Sequence, residues 1–133
     1  MSNNLSTVQQ IYACFTQGNV PGILAKLSDD VTFFNGSDPA VAPFGGEFKG
    51  KDGVIQFFNG LGLTTQTTAF VPENFREDGN KVVNEVRHDG IVTATGHPFS
   101  VNAEFVWTFD DKGMVTDWKG TGDFSSINAA FLN

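Results

Sequence analysis

The strongest constraint in this sequence is the strict alternation of side chains between residues 99 and 109. One set is apolar, namely Phe99, Val101, Ala103, Phe105, Trp107 and Phe109, and the set between them includes Ser100, Asn102, Glu104 and Thr108. Successive side chains of a β-strand point to opposite faces, so this strand has one apolar face that must be covered and one polar face. The pattern predicts an antiparallel sheet with one buried face.

Three further strands are predicted around it, over Gln66–Arg76, Lys81–Ala94 and Met114–Phe124, with a glycine-containing turn between consecutive strands. Upstream, Val31–Asn35 has the composition of a first strand, and the Pro- and Gly-containing segment Gly36–Gly46 is predicted to be a loop. We expect this loop to act as a lid over the pocket inferred below.

Helical spacing of apolar residues predicts a first helix up to Phe15, with Ser6 and Gln9 as a capping box or an earlier start at position 3 or 4. Gly18 ends it, and Asn19 caps a short second helix. A third helix is predicted from about Lys51, and a last helical turn over residues 127–132.

Helices followed by a run of antiparallel strands indicate an α+β fold. With 133 residues and no linker or repeat, the chain is predicted to be one domain over residues 1–133. Fourteen Phe and two Trp against one Tyr suit a hydrophobic cavity. We therefore expect helices packed on a strongly curved antiparallel sheet around an apolar pocket.

Charge and composition exclude several classes of function. Eight basic against fifteen acidic residues give a formal charge of −7, which argues against nucleic acid and anionic membranes as partners. Cys14 is the only cysteine, and the two histidines, His88 and His97, lie nine positions apart, so no metal site is predicted. No signal peptide or apolar run of membrane-spanning length is recognised, so we expect a cytoplasmic protein.

His88 is the residue most suited to chemistry. It shares one face of its predicted strand with Val86 and Val92, so a buried face would place an imidazole on an apolar cavity wall. Burial disfavours the charged form and leaves a neutral base. The alternative is a structural histidine, hydrogen-bonded in the core or exposed at a bend beside Gly90.

The order of these segments resembles the nuclear transport factor two-like superfamily, and within it the SnoaL-like group. The resemblance is carried by the run from Val8 through Gly18-Asn19 to Asp29-Asp30-Val31, by Gly50-Lys51-Asp52-Gly53-Val54 followed by Phe57-Phe58, and by Phe105-Val106-Trp107-Thr108-Phe109 with Trp118. It implies a cone-shaped (cystatin-like) fold with a central pocket. It also implies a homodimer formed through the outer face of the sheet.

The ketosteroid isomerases of this superfamily use an Asp base that matches Asn35 here. Their two oxyanion donors match Ile11, with Tyr12 one step out of register, and Phe105. Because a base and two donors are missing, steroid isomerisation by that route is not expected.

The related epoxide hydrolases hold water with residues that match Phe33 and Asn35, and His88 matches their activating Asp. Their partner Arg matches Val86 and their acid matches Gly120, with Asp123 three residues further on. In the SnoaL-like cyclases a His/Asp pair moves protons, for which His88 and Asp38 are the available residues. The resemblance thus implies His88 and Asn35 as catalytic candidates.

Three functions stay open. The chain is a cofactor-free enzyme for isomerisation, cyclisation or epoxide hydration of a small hydrophobic molecule, or a binding protein for such a molecule, or a dimerisation module whose cavity is filled by its own Phe rings. The predicted ligand contacts are Ile11, Tyr12, Phe15, Phe33, Phe44, Phe57, Phe58, Leu61, Val86, Phe105, Trp107 and Trp118.

Overall fold

The structure, a computed structural model, describes residues 3–132. Its helices are α1 (Asn4–Thr16), α2 (Val20–Leu24), α3 (Gly50–Thr64) and α4 (Ser125–Ala130). Its strands are β1 (Leu27–Asn35), β2 (Gly46–Lys49), β3 (Thr65–Asp78), β4 (Lys81–Val92), β5 (Pro98–Phe109) and β6 (Val115–Asp123). The predicted α+β fold of helices followed by strands is confirmed.

The strands form one sheet in the order β2-β1-β6-β5-β4-β3. The predicted antiparallel sheet has one exception, since β1 runs parallel to β6, with Phe33 opposite Trp118 and Asn35 opposite Gly120. All other neighbours are antiparallel. Alternation along a strand reports which face is buried but not the direction of the neighbouring strand, so the sequence pattern could not reveal this pairing.

The sheet curves around α1 and α3 and does not close. Register shifts interrupt β3 between Thr67 and Ala69 and again between Glu73 and Arg76, where Asn74 has a φ of 57°. Such bulges bend a strand and increase its twist. Pro72 fits on β3 because this strand lies at the edge of the sheet, where a missing N–H is tolerated. The result is a cone with its apolar face inside.

Of the two starts predicted for the first helix, the structure has the earlier one. The capping box of Ser6 and Gln9 is not formed, since α1 begins at Asn4 and Ser6 instead accepts a hydrogen bond from the Gln10 side chain at 3.2 Å.

The signals between the first two helices are confirmed. Gly18 has a φ of 70°, the left-handed conformation that glycine adopts without strain. The Asn19 side chain accepts a hydrogen bond from the Gly22 amide at 3.0 Å and so caps α2.

Two boundaries in the first half differ from the prediction. The first strand begins at Leu27, before the predicted Val31, and Gly46–Lys49 forms a strand that the sequence analysis assigned in part to a loop. This short strand exists through its pairing with β1, where Phe48 lies opposite Phe33. A four-residue segment has too short a pattern to be recognised without that partner.

Candidate ligand-binding site

An internal cavity lies between α1, α3 and the inner face of the sheet. The volume that the centre of a water molecule can reach in it is about 70 Å³. All fourteen residues singled out from the sequence line this one cavity: Ile11, Tyr12, Phe15, Phe33, Asn35, Phe44, Phe57, Phe58, Leu61, Val86, His88, Phe105, Trp107 and Trp118. The structure therefore brings them together, while their roles in binding or catalysis stay predictions.

Seven residues of the lining were not predicted from the sequence: Ile23, Ser37, Phe70, Val101, Ala103, Phe124 and Ile127. Val101 and Ala103 could have been found, because they share the alternating inner face of β5. Phe124 and Ile127 carry no such signal, since only the packing of the C-terminal segment against the cone places them at the cavity.

A buried hydrogen-bond network lies on the cavity wall at Tyr12 and Trp107. The Tyr12 hydroxyl donates to Asn84 Oδ1 at 2.7 Å and accepts from Trp107 Nε1 at 3.0 Å. Burial raises the pKa of Tyr12 well above its usual range, although both hydrogen bonds oppose this shift. The Tyr12 hydroxyl therefore links α1 to β4 and β5. Because its proton is already donated to Asn84, it is not available as an acid or an oxyanion donor.

His88 lies on the cavity wall among aromatic rings. The ring centroids of Phe99, Phe70 and Phe15 lie 5.4, 5.6 and 6.5 Å from that of the imidazole, all near perpendicular. Its Nε2 is 2.8 Å from Thr67 Oγ1, so Nδ1 is the ring nitrogen left for a ligand. Burial lowers the pKa of His88 to about 4, with Asp89 opposing the shift, and the ring is neutral at pH 7.

His88 and Asn35 are not joined by a hydrogen bond among the described residues. The Asn35 side-chain oxygen instead accepts from the Ser37 amide at 2.9 Å, which leaves its NH₂ group to contact a ligand. The carboxylates considered as partners lie outside the cavity lining. Asp38 and Asp123 are both exposed and accept hydrogen bonds from the backbone two residues later.

A second wall of the cavity carries unpartnered polar groups. Trp118 Nε1 and Ser37 Oγ are buried and have no hydrogen-bond partner within residues 3–132. Their residues are only 3 % exposed. The indole lies over Gly120, where an added Cβ would stand 2.9 Å from Trp118 Cζ2. Because Gly120 pairs with Asn35, the indole and the Asn35 amide occupy adjacent positions on this wall.

A larger cleft lies outside the cavity, between the ends of α1 and α3 and the start of β3. Water centres can reach about 510 Å³ of it. It shares five lining residues with the cavity, Phe15, Ile23, Phe58, Leu61 and Phe70. The rings of Phe15 and Phe70 lie 4.7 Å apart and those of Phe15 and Phe58 lie 6.2 Å apart. These three half-buried rings form the partition between cleft and cavity.

The loop before β2 packs against the C-terminal segment beside the cavity. Phe44 of this loop is 1 % exposed and its ring centroid lies 5.7 Å from that of Phe131. The Asp38 amide also donates to the Asn128 side chain at 2.9 Å. The predicted lid is thus fastened to the C-terminal helix in this structure.

No group of three or more His, Cys, Asp or Glu side chains within the described range is arranged to bind a metal ion. None of the helices described is long and apolar enough to cross a membrane.

Comparison with known proteins gives a family match over most of the chain. Residues 8–118 match the SnoaL-like domain family. An NTF2-like protein of unknown function from Burkholderia pseudomallei is 25 % identical, with a TM-score of 0.89 over 100 % of both chains. No curated protein matches.

Two similar structures are reported with a bound small molecule or in its presence. TerC co-crystallised with polyporic acid is 21 % identical, with a TM-score of 0.83 over 99 % of this chain and 100 % of that one. The RV0760c protein of Mycobacterium tuberculosis in complex with estradiol-17beta-hemisuccinate is 20 % identical, with a TM-score of 0.77 over 95 % and 98 %. These two likenesses concern the fold.

Proposed function

Since the chain belongs to the SnoaL-like family of the NTF2-like superfamily, we propose that it binds a small, neutral, mainly hydrophobic molecule in the inner cavity. The ligand enters from the outer cleft. The observation that carries this proposal is the aromatic partition of Phe15, Phe58 and Phe70, which separates a water-accessible cleft from an apolar cavity with unpartnered polar groups.

The ligand must be neutral or nearly so. No Lys or Arg of the described residues lines the cavity, so a buried carboxylate or phosphate would have no compensating charge. The rings that line it favour flat or polycyclic hydrophobic molecules, which stack or pack edge-on against aromatic side chains.

Binding requires the partition to move. The cavity volume of about 70 Å³ holds a few water molecules, whereas small-molecule pockets usually measure about 300 Å³ or more. Phe15, Phe58 and Phe70 are each half-buried, so their rings can turn towards the cleft without leaving a fully packed core. Rotation of these three rings joins the two spaces into one pocket.

A second candidate is a cofactor-free enzyme in which His88 moves a proton. It is favoured by one observation, the hydrogen bond to Thr67 that holds the imidazole of the cavity-lining residue His88 through Nε2. Against it, Tyr12 and His88 are the only ionisable side chains that residues 3–132 contribute to the lining, and a His88 pKa of about 4 lies far from the pH at which a general base works best. We therefore favour binding over catalysis.

The proposal is tested by a thermal-shift screen of flat polyketides, terpenoids and steroids. A ligand at a hundredfold its Kd should stabilise the fold by about 2.7 kcal/mol, visible as a rise of several degrees in Tm. Ala103→Leu adds three carbon atoms inside the cavity and should remove this rise. Ala13→Leu, at an exposed position of α1, is the matched control and should keep it.

Each other outcome of the screen decides against binding in this cavity. A rise of equal size in the Ala103→Leu variant would place the ligand elsewhere. No rise with any compound, in a well-folded wild type, would favour the module whose cavity is filled by its own rings. For the enzyme candidate, the His88→Gln variant should retain binding and lose turnover of any ligand that is converted.

A further inference from the structure

The unpartnered donors on the second wall indicate what part of a ligand that wall contacts. Trp118 Nε1 can only donate a hydrogen bond, and it is buried without an acceptor. A buried donor without a partner destabilises the fold, so such a group in a folded protein calls for a specific explanation. A hydrogen-bond acceptor on a bound ligand is such an explanation, because Trp118 lines the cavity.

Two further side chains of the cavity lining, Ser37 and Asn35, can also donate hydrogen bonds. The Ser37 hydroxyl is also buried without a partner among the described residues, its residue lines the same cavity, and a hydroxyl can donate a hydrogen bond. The hydrogen bond from the Ser37 amide occupies the Asn35 oxygen and fixes which end of the side-chain amide is the NH₂ group. Trp118, Ser37 and Asn35 thus present N–H and O–H groups to the cavity.

We propose that Trp118, Ser37 and Asn35 form a subsite for a neutral carbonyl oxygen, of the ketone or quinone type, attached to a flat ring system. This inference rests on the proposed function and specifies its ligand. A carbonyl oxygen has two lone pairs and no proton, so it accepts from two or more of these donors at once. A carboxylate is excluded because the subsite has no cationic side chain.

The flat rings beside the subsite support a conjugated ketone over an aliphatic one. The Phe105 ring lies 4.9 Å from the Trp118 ring and perpendicular to it, and the Phe33 ring lies 5.0 Å away on the same indole. A ring that carries the carbonyl would therefore sit against aromatic edges and faces. Such a ligand orients its oxygen towards the donors and its hydrocarbon part towards the partition of Phe15, Phe58 and Phe70.

The test compares two probes of nearly the same shape, 1-indanone and indane, which differ by one carbonyl group. Their affinities are measured by isothermal titration calorimetry at pH 7 on the wild type, Ser37→Ala, Trp118→Phe and the double variant. We expect 1-indanone to bind roughly tenfold more tightly than indane to the wild type. In the double variant this preference should fall to about twofold or less while indane binding persists.

A second readout follows the donor itself. The two indole N–H groups give separate NMR signals, and that of Trp107 is already hydrogen-bonded to Tyr12. Addition of 1-indanone should shift the Trp118 N–H signal downfield, and indane should not, whereas the Trp107 signal is the internal reference. The signal absent from the Trp118→Phe variant identifies Trp118. Ser28→Ala, which removes a surface hydroxyl bonded to Asp30, is the control for Ser37→Ala.

The outcomes separate this inference from the proposed function. Equal binding of both probes to the wild type, or a ketone preference unchanged in the double variant, overturns the carbonyl subsite and leaves the hydrophobic pocket standing. Binding of neither probe to the well-folded wild type overturns the pocket and the subsite together. A shift of the Trp118 signal with indane as large as with 1-indanone also contradicts hydrogen bonding to the carbonyl.

Discussion

Replacing His88 with Gln should weaken the acid sensitivity of the fold. The pKa of His88 is about 4 in the folded protein against an ordinary value of 6.5, because burial among aromatic rings disfavours the imidazolium. The unfolded chain therefore binds a proton between pH 6.5 and 4 that the folded protein does not. Since the unfolded state binds more protons in this window, the free energy of unfolding falls as the pH falls from 6.5 to 4.

The size of the effect follows from the pKa difference. At 1.36 kcal/mol per pKa unit the whole shift is worth about 3 kcal/mol, and about 2 kcal/mol of it is lost between pH 7 and pH 5. Urea unfolding of the wild type and of His88→Gln at both pH values measures this loss. Gln removes the titrating group and keeps a side chain that can hydrogen-bond to Thr67, so only the difference between the two pH values is compared.

The control is His97→Gln, which replaces the exposed histidine in the turn between β4 and β5 and so tests whether the effect belongs to the buried histidine. Carboxylates titrate in the same range, but they do so in all three proteins and drop out of the comparison. A loss of stability between pH 7 and 5 that is the same in His88→Gln as in the wild type would refute the argument that His88 is held neutral by burial.

Three other substitutions test the packing that surrounds the site, each by urea unfolding at pH 7. Tyr12→Phe should cost about 1–3 kcal/mol, because it leaves Asn84 Oδ1 and Trp107 Nε1 buried without their partner. Gly90→Ala should cost about 1–3 kcal/mol, because the new Cβ would stand 2.6 Å from a backbone oxygen of β3. Asn19→Ala should cost about 1 kcal/mol through the lost cap of α2.

Two further substitutions, Ser37→Ala and Gly62→Ala, are controls for Tyr12→Phe and Gly90→Ala. Ser37→Ala removes a buried hydroxyl that has no partner, so it should not destabilise the ligand-free protein, in contrast to Tyr12→Phe. Gly62→Ala places a Cβ where no atom lies within 4 Å and should be neutral or stabilising in α3. Equal losses for Gly90→Ala and Gly62→Ala would show that helix and strand glycines matter for a reason other than the close contact.

Amide hydrogen exchange tests whether the loop before β2 acts as a lid. The loop before β2 is held to the C-terminal segment by the hydrogen bond from the Asp38 amide to Asn128 and by the contact of Phe44 with Phe131. The backbone amides of this loop should therefore exchange slowly, and their exchange should change little when a ligand binds. The amides that respond to the ligand should instead lie beside Phe15 and Phe70, at the partition. Fast exchange in the loop that slows on ligand addition would restore the lid as the entrance.

Much of the site could be predicted because its residues follow simple periodicities. The alternation of β5 placed Phe105 and Trp107 inside, and the helical spacing of α3 placed Phe57 and Leu61 on the same side. The inward position of His88 followed from its even spacing to Val86. Periodicity determines which face of an element is buried, and in a single small domain those faces must meet around one core.

The sequence by itself determined the α+β class, the order of the helices and the apolar character of the cavity wall. The tertiary structure decided which strands are neighbours, and it alone placed β1 parallel to β6 and so brought Asn35 beside the Trp118 indole. It also decided which buried polar groups have a hydrogen-bond partner. Tyr12 and His88 bond to residues 72 and 21 positions away, whereas the Trp118 indole has no partner among the described residues. Hydrogen-bond partners distant in the chain leave no local pattern, so the chemistry of the cavity could be found only after the chain was folded.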